Sequence, residues 1–508
     1  MSRTDTLTSA DADWSGLRVV VTGLGVSGLA AAAALAERGA RVSVLDERDG
    51  PEQRDRADLL RVLGADVRLG PQATAGLPDV DGAAPEVVVT SPGWRPTAPA
   101  LAAAAAAGVP VWGEVELAWR MRPPTGGAPW LTLTGTNGKT TTVRMLTAVL
   151  QAAGLRTTAA GNVGTPLLEA VLHPDPYDVI AVELSSFQLH WASSPAPRAS
   201  ACLNVAPDHV DWHGSMEAYV AAKGRVYERT QVACVYNVQD PTTERLVREA
   251  DVVDGCRAVG FTLDVPDVSM LGVVDDVLAD RAFVPERRTS AAELATLADL
   301  SPDGAPVPPH TVANALAAAA LARAHGVPAA AVRDGLRGFR PDPHRITRVA
   351  SVAGVDWVDD SKATNPHAAD ASLAAFGPVV WVAGGLAKGA AFDDLVRHHR
   401  DRLRGVVLIG VDREPLRAAL RRHAPDVPVV EVDPGETGRV PVPSSAAGRA
   451  VMDDAVRAAA AMAQPGDTVL LAPACASMDQ FRDYASRGDA FADAVRARVR
   501  ATHPGAEG

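Results

Sequence analysis

The sequence predicts an α/β protein made of several parallel-sheet domains, and three stretches carry that prediction. Residues 17–47, LRVVVTGLGVSGLAAAAALAERGARVSVLDE, read as a strand, a Gly23-x-Gly25-x-x-Gly28 turn, a helix ending at Gly39, and a second strand closing on Asp46. Residues 130–142, WLTLTGTNGKTTT, repeat that logic: a β-branched apolar run meets a glycine turn, then a helical pattern through Val143, Leu146, Val149 and Leu150. A third unit opens with a strand over 351–358 that runs into Asp359-Asp360-Ser361-Lys362 ahead of another helix. At 508 residues the chain exceeds what one core fills. We therefore expect three domains, over 1–125, 126–342 and 343–508. The outer two should be Rossmann-like, and the central one a P-loop-type domain on a mostly parallel sheet.

In the first domain the glycine turn and the helix start present backbone N–H groups and a partial positive charge to a diphosphate-sized anion. Taken alone, the fingerprint favours NAD or FAD, with other nucleotides or a plain βα turn left open. Further apolar strands are expected within 62–70, 85–94 and 108–119. Ser91-Pro92-Gly93 falls at a strand's carboxyl end, where open α/β sheets bind ligands, although an ordinary turn reads as well. MRPPTGGAP, 121–129, reads as a linker.

In the second domain, Lys139 can reach the β- and γ-phosphates of a nucleotide, and the Thr140 hydroxyl can ligate Mg²⁺. The loop is shorter than the general phosphate loop, with Leu133 and Thr134 where a first glycine belongs. ATP is the expected ligand, which makes this an ATPase-type domain. The strand within 177–189 ends in Glu183 and Ser185-Ser186, placing a carboxylate beside the loop for a divalent cation. Another strand runs into Asp208-His209-Val210-Asp211 and His213, two acids and two histidines within six positions, which marks a working loop. The following helix carries Lys223, by itself a solvated helix lysine.

Composition narrows the function. The 49 basic and 61 acidic residues give a charge of −12, with no basic block, which argues against a nucleic-acid or acidic-membrane partner. The first residues lack a basic start followed by an apolar core, and alanine-rich helices such as 29–36 are too short to span a bilayer. A cytoplasmic protein is expected. Cys202, Cys234, Cys256 and Cys475 are scattered without a CxxC pair and read as reduced, structural thiols.

GTNGKTTT, AGNVG, ELSSFQL, LNVAPDHVDWHGS followed by AAK, DDSKATN and APACASMDQF together resemble the Mur ligases of bacterial cell-wall synthesis, from about residue 17 to about residue 495. The likeness is strongest to the branch that adds D-glutamate. It implies a monomeric ligase that joins D-glutamate to UDP-N-acetylmuramoyl-L-alanine, using ATP, two Mg²⁺ ions and an acyl-phosphate intermediate. It puts the ATP phosphates on Gly135, Thr136, Asn137, Gly138, Lys139, Thr140 and Thr141. It gives one Mg²⁺ to Thr140 and Glu183, and the second to His209 and a CO₂-derived carbamate on Lys223. A carbamate turns a cation into the anionic oxygen donor that a hard metal demands.

The resemblance also reassigns the first-domain fingerprint to the uridine diphosphate of the substrate, with Gly25, Val26, Ser27, Asp46, Ser91 and Gly93 around it. Asn162 lies in the substrate-facing loop. Asn314 would contact adenine, although the family's usual His-Asn pair is His310-Thr311 here. In the third domain the resemblance sends Arg345, Asp360 and Lys362 to ATP, and Thr364, Lys388, Ser477, Met478 and Tyr484 to D-glutamate. Segments 264–309 and 412–450 carry no such signal, and 412–450, containing DPGETGRVPVPSSAAGR, reads as a surface excursion. A sister ligase for another amino acid or a folylpolyglutamate synthase would share part of this pattern. An NAD-dependent dehydrogenase would use 17–46 but leave GTNGKTT and DHVDWH idle.

Overall fold

The computed structural model describes residues 2–301, 307–340, 342–432 and 445–502. It is α/β throughout, with one sheet of five strands, one of nine and one of six. Residues Met1–Phe339 form one compact unit holding the first two sheets, and Arg340–Gly508 form another holding the third.

The first sheet is wholly parallel, in the spatial order Asp66–Leu69, Arg41–Asp46, Arg18–Thr22, Val87–Thr90, Val111–Gly113. Val19, Val20, Val21, Val87, Val88 and Val89 are buried, as a sheet covered on both faces requires. Strand order reverses between Arg18–Thr22 and Val87–Thr90, so a crevice opens there at the carboxyl ends. Helix Val26–Glu37 starts at that crevice, capped by Gly25. Gly28 is obligatory for packing, since a Cβ there would stand 1.8 Å from the Gly23 carbonyl oxygen.

Two expected strands are shorter than the apolar runs suggest. Within 108–119 only Val111–Gly113 is strand, and Glu114–Arg120 is a helix that buries Val115, Leu117 and Ala118. Within 62–70 only Asp66–Leu69 is strand, because Val62 still belongs to helix Pro51–Val62. In both cases the helix ends or begins inside a run whose hydrophobicity has no clear period.

The second sheet runs Ala292–Thr296, Val277–Asp280, Met270–Val274, Arg257–Phe261, Ala233–Asn237, Ala199–Cys202, Trp130–Thr134, Val179–Glu183, Thr157–Gly161. Trp130–Thr134 lies between Ala199–Cys202 and Val179–Glu183, with Leu133 opposite both Ala201 and Glu183. The carboxyl ends of these three parallel strands therefore finish together. The described part of segment 264–309 contributes two antiparallel pairings at the sheet's far edge.

Behind the phosphate loop, helix Lys139–Ala152 packs against Pro309–His325 and Ala329–Gly338. Every position from Ala315 to Ala322 is buried, Leu316 and Leu321 among them. The small side chains let the helix lie close to its neighbours. Gly335 does the same, since a Cβ there would stand 2.4 Å from Val149 Cα. Leu146 is fully buried in this core, so truncating it to alanine would cost about 2–5 kcal/mol.

The third sheet runs Thr347–Val352, Val355–Asp359, Thr468–Leu471, Val379–Gly384, Leu403–Ile409, Val429–Glu431, parallel except for the first pair. The single strand expected over 351–358 is instead two antiparallel arms. Ala353 and Gly354 both take positive φ, 52° and 76°, and make the two-residue turn that such a hairpin favours. Of the surface excursion expected over 412–450, the described part is instead helix Glu414–His423, which buries Leu416, Ala419 and Leu420, and the edge strand Val429–Glu431, while residues 433–444 lie outside the described residues. Among the described residues no helix is long and apolar enough to cross a membrane.

Candidate active site

The loop after strand Trp130–Thr134 is held from three sides. Gly138 caps helix Lys139–Ala152 in the left-handed region, φ 80°, and its missing side chain leaves room for Asn314 Oδ1, 2.4 Å from where a Cβ would stand. Asn204, just beyond strand Ala199–Cys202, clamps Asn137: its Oδ1 accepts the Asn137 N–H at 2.9 Å and its Nδ2 donates to the Asn137 carbonyl at 3.1 Å. The buried Thr136 hydroxyl lies 2.9 Å from the Tyr219 hydroxyl and accepts the Ala206 N–H at 2.9 Å. Lys139 folds back on the loop, donating to the carbonyls of Gly135 at 2.9 Å and Thr136 at 3.0 Å. Thr140 and Thr141 follow on the first turn of the helix.

Glu183 ends the neighbouring strand and is 1% exposed. Its Oε1 accepts from Asn162 Nδ2 at 2.8 Å, while Oε2 is buried with no hydrogen-bond partner. The Asn162 N–H also donates to the Glu183 carbonyl at 2.9 Å. A buried carboxylate oxygen without a partner is costly unless something else meets it, and a divalent cation is the group whose chemistry fits.

The third strand end leads to His209, held in the left-handed region at φ 53° at the start of the short helix Val210–His213, with its ring 4.7 Å from Phe187. His213 is engaged elsewhere, its Nε2 2.9 Å from Ser186 Oγ, and burial with neighbouring cationic groups pushes its pKa down to about 4. Lys223 is not the solvated lysine that its helix suggests. It is 2% exposed, with Nζ 4.8 Å from the Tyr219 ring centre, and burial reinforced by Lys139 brings its pKa down to about 7. Tyr219, which bonds to Thr136, thus links this helix to the phosphate loop.

At the first sheet's crevice, Val26 is 59% exposed on the first turn of helix Val26–Glu37, with Gly25 and Ser27 beside it. Ser91 Oγ donates to the Gly23 carbonyl at 3.2 Å, tying the two loops together. Asp46 faces inward: it accepts the Leu24 N–H at 2.6 Å and binds Arg48. Arg95 meets Asp211 at 2.8 Å, and Trp212 Nε1 donates to the Gly93 carbonyl at 3.4 Å, so the crevice loop touches the loop bearing His209.

In the second unit, Asp360 is buried beside Ser372, whose hydroxyl donates to it, and burial raises its pKa to about 6 although Arg345 draws it down. Lys362 Nζ stands 3.8 Å from the Tyr484 ring centre. Ser477 is buried, Met478 is 57% exposed, and Lys388, in a left-handed turn at φ 50°, is exposed. Thr364 lies two residues beyond Lys362, half-buried.

Three family descriptions match the chain: Mur ligase MurD-like N-terminal domain over residues 17–113, Mur ligase middle domain over 133–322, and Mur ligase glutamate ligase domain over 344–475. A UDP-N-acetylmuramoylalanine--D-glutamate ligase of Streptomyces avermitilis is 61% identical over 484 residues, which are 95% of this chain and 99% of that one. The chain belongs to the Mur ligase family. A Streptomyces coelicolor protein of the same name is 59% identical, over 95% of this chain and 98% of its own. Among solved structures, a pseudomurein peptide ligase type C from Methanothermus fervidus shares the fold, with a TM-score of 0.55 at 16% identity over 95% of this chain and 100% of that one.

As a Mur ligase the protein is an ATP-dependent, ADP-forming enzyme. Within the unit Met1–Phe339 the structure gathers Gly135–Thr141, Asn162, Glu183, His209, Lys223 and Asn314 around the same strand ends. Sequence reading missed Asn204, although it follows directly on a buried apolar strand, a position where a polar residue meets the loops. It also missed Arg487. That side chain is 1% exposed and binds Ser361 Oγ at 3.0 Å, the Ser361 carbonyl at 2.9 Å and the Cys475 carbonyl at 3.1 Å. No local pattern distinguishes a buried arginine from a solvated one on a helix.

Proposed function

We propose that this Mur ligase adds D-glutamate to UDP-N-acetylmuramoyl-L-alanine in the cytoplasmic synthesis of peptidoglycan precursor. The observation that carries the reading is Glu183, whose partnerless buried oxygen lies at the strand ends that also present the phosphate loop. The choice of amino acid and acceptor is supported by the names of the two Streptomyces relatives.

A carboxylate is a poor electrophile, so amide formation needs prior activation. Transfer of the ATP γ-phosphoryl to the alanyl carboxylate gives an acyl phosphate, which the D-glutamate amine attacks as phosphate leaves. The first step brings two anions together. Loop N–H groups and Lys139 would hold the nucleotide phosphates, exchanging Lys139's present carbonyl partners for phosphate oxygens. Thr140 and Glu183 would hold one Mg²⁺, and His209 with a carbamylated Lys223 the other. When bound, these ions supply charge neutralisation for the transferring phosphoryl group.

Among the described residues no three His, Cys, Asp or Glu side chains gather as a ready metal cage. That agrees with a set completed by a hydroxyl, a modified lysine and phosphate oxygens, as Mg²⁺ tolerates. Carbamylation requires the neutral amine to attack CO₂ and lose a proton. A lysine whose pKa has fallen to about 7 supplies that amine at neutral pH.

We further assign the crevice at Gly25, Val26, Ser27, Ser91 and Gly93 to the uridine diphosphate, with Asp46 shaping the turn from behind. Asn162 would face the acceptor and Asn314 the adenine. On the second unit, Arg345, Asp360 and Lys362 would serve ATP, and Thr364, Lys388, Ser477, Met478 and Tyr484 the D-glutamate. This divides the labour among 1–125, 126–342 and 343–508. Phosphate release that requires ATP, D-glutamate and UDP-N-acetylmuramoyl-L-alanine together is the expected result. Release with meso-diaminopimelate or lysine in place of D-glutamate would overturn the assignment.

A further inference from the structure

Cys234 and Cys256 are 22 positions apart, yet their sulfurs stand 3.8 Å from one another. Topology explains the meeting. Cys234 lies on strand Ala233–Asn237, opposite Ala258 of the parallel strand Arg257–Phe261. Cys256 precedes Ala258 by two residues and so points to the same face as Cys234.

The two thiols differ in access. Cys234 is buried, whereas Cys256 is half-buried and follows an exposed turn over Val253, Asp254 and Gly255, with Gly255 at φ 88°. They differ in acidity as well. The thiol–thiol contact, in which either sulfur can donate, together with Arg257 nearby holds Cys256 below the ordinary thiol range while Cys234 is raised. The remaining cysteines offer a contrast within the same chain: Cys202 and Cys475 are buried, and desolvation lifts each to about 12.

We infer that Cys256 is a thiol-modification site that exchanges with low-molecular-weight disulfides, and that Cys234 resolves the adduct into an internal Cys234–Cys256 disulfide. In the first step the Cys256 thiolate attacks one sulfur of the small disulfide, forming a mixed disulfide and expelling one small thiolate. In the second, Cys234 gives its proton to solvent and its sulfur attacks the Cys256 sulfur, breaking the mixed bond and releasing the second small thiolate. Two protein thiols are oxidised and one small disulfide is reduced to two thiols. The sulfurs must close from 3.8 Å to about 2 Å, which the turn at Gly255 can absorb. The new bond would close the stretch containing helix Pro241–Glu249. It would lie at the amino ends of the strands, while the phosphate loop and Glu183 lie at carboxyl ends.

The test uses the full-length protein incubated with oxidised glutathione at pH 8, followed by thiol counting and non-reducing peptide mass mapping. Wild type should fall from four titratable thiols to two, with the Cys234 and Cys256 peptides joined and the loss reversed by dithiothreitol. Cys234→Ser should stop at a single glutathione on Cys256, and Cys256→Ser should take up none. The inference is overturned if Cys256 stays free, if Cys202 or Cys475 reacts first, or if wild type retains the glutathione adduct without forming the internal bond.

Discussion

Asn162 donates to one oxygen of Glu183 at 2.8 Å and leaves the other oxygen of that carboxylate buried without a protein partner. Glu183→Gln keeps an acceptor toward Asn162 and the side-chain volume, so the fold should survive. Phosphate release at saturating Mg²⁺ should nevertheless fall on the order of 10²-fold, because an amide cannot replace an anionic ligand. Asn162→Ala should cost less, roughly 10-fold, since it only frees the carboxylate to turn. A thermal melt alongside the rate separates loss of function from loss of fold.

Asn204 clamps the phosphate loop through both polar atoms of its side chain. Asn204→Ala should raise the KM for ATP roughly 10-fold, on the scale of two lost hydrogen bonds, with little change in the KM for D-glutamate. An unchanged KM for ATP would mean that the loop holds its shape without the clamp.

Lys223 carries a pH signature. Its pKa of about 7 in the fold lies below the ordinary 10.5, so between these values the unfolded chain holds a proton that the fold releases. For the unmodified enzyme in CO₂-free buffer, stability should therefore rise with pH across that window and be lowest below pH 7. Lys223→Met should raise the urea midpoint at pH 6 by more than at pH 10. Lys223→Ala should be inactive, with partial recovery on adding short carboxylic acids. Full activity of that variant without them would sink the carbamate assignment.

Glu114 has the opposite sign. Desolvation raises its pKa to about 7, against an ordinary 4.5, although it accepts the Leu168 N–H at 2.8 Å. The fold keeps a proton that the unfolded chain gives up, so stability falls as pH rises from 4.5 to 7 and stays low above. Glu114→Gln retains the acceptor and removes the buried charge. It should stabilise the protein at pH 8 by on the order of 3 kcal/mol and have almost no effect at pH 4, as read from paired urea titrations.

The units of strand, glycine turn and helix were legible because buried strands, special turns and periodic helices each leave a local mark, as at 17–46 and 130–152. The hairpin at 347–359 was harder to see, since the first turn position is Ala353, which takes a positive φ where glycine or asparagine is usual, and only Gly354 beside it marks the turn. Lys139, Glu183 and His209 could be read from their place after strands. The burial of Lys223 could not, because a helix's own sequence does not say what closes over it. The same holds for Arg487 and for the meeting of Cys234 with Cys256, which depend on partners far along the chain.

Lys139 donates to two carbonyls of its own loop, those of Gly135 and Thr136. On the proposed assignment, nucleotide phosphate would replace those carbonyls as acceptors, and the ammonium would not need to shed a full hydration shell to engage it. The lysine is thus a staple across its own loop, tying the backbone of Gly135 and Thr136 to the first turn of helix Lys139–Ala152. Under that assignment, affinity for the nucleotide would report the difference between phosphate and carbonyl as acceptors rather than the full strength of the lysine–phosphate contact.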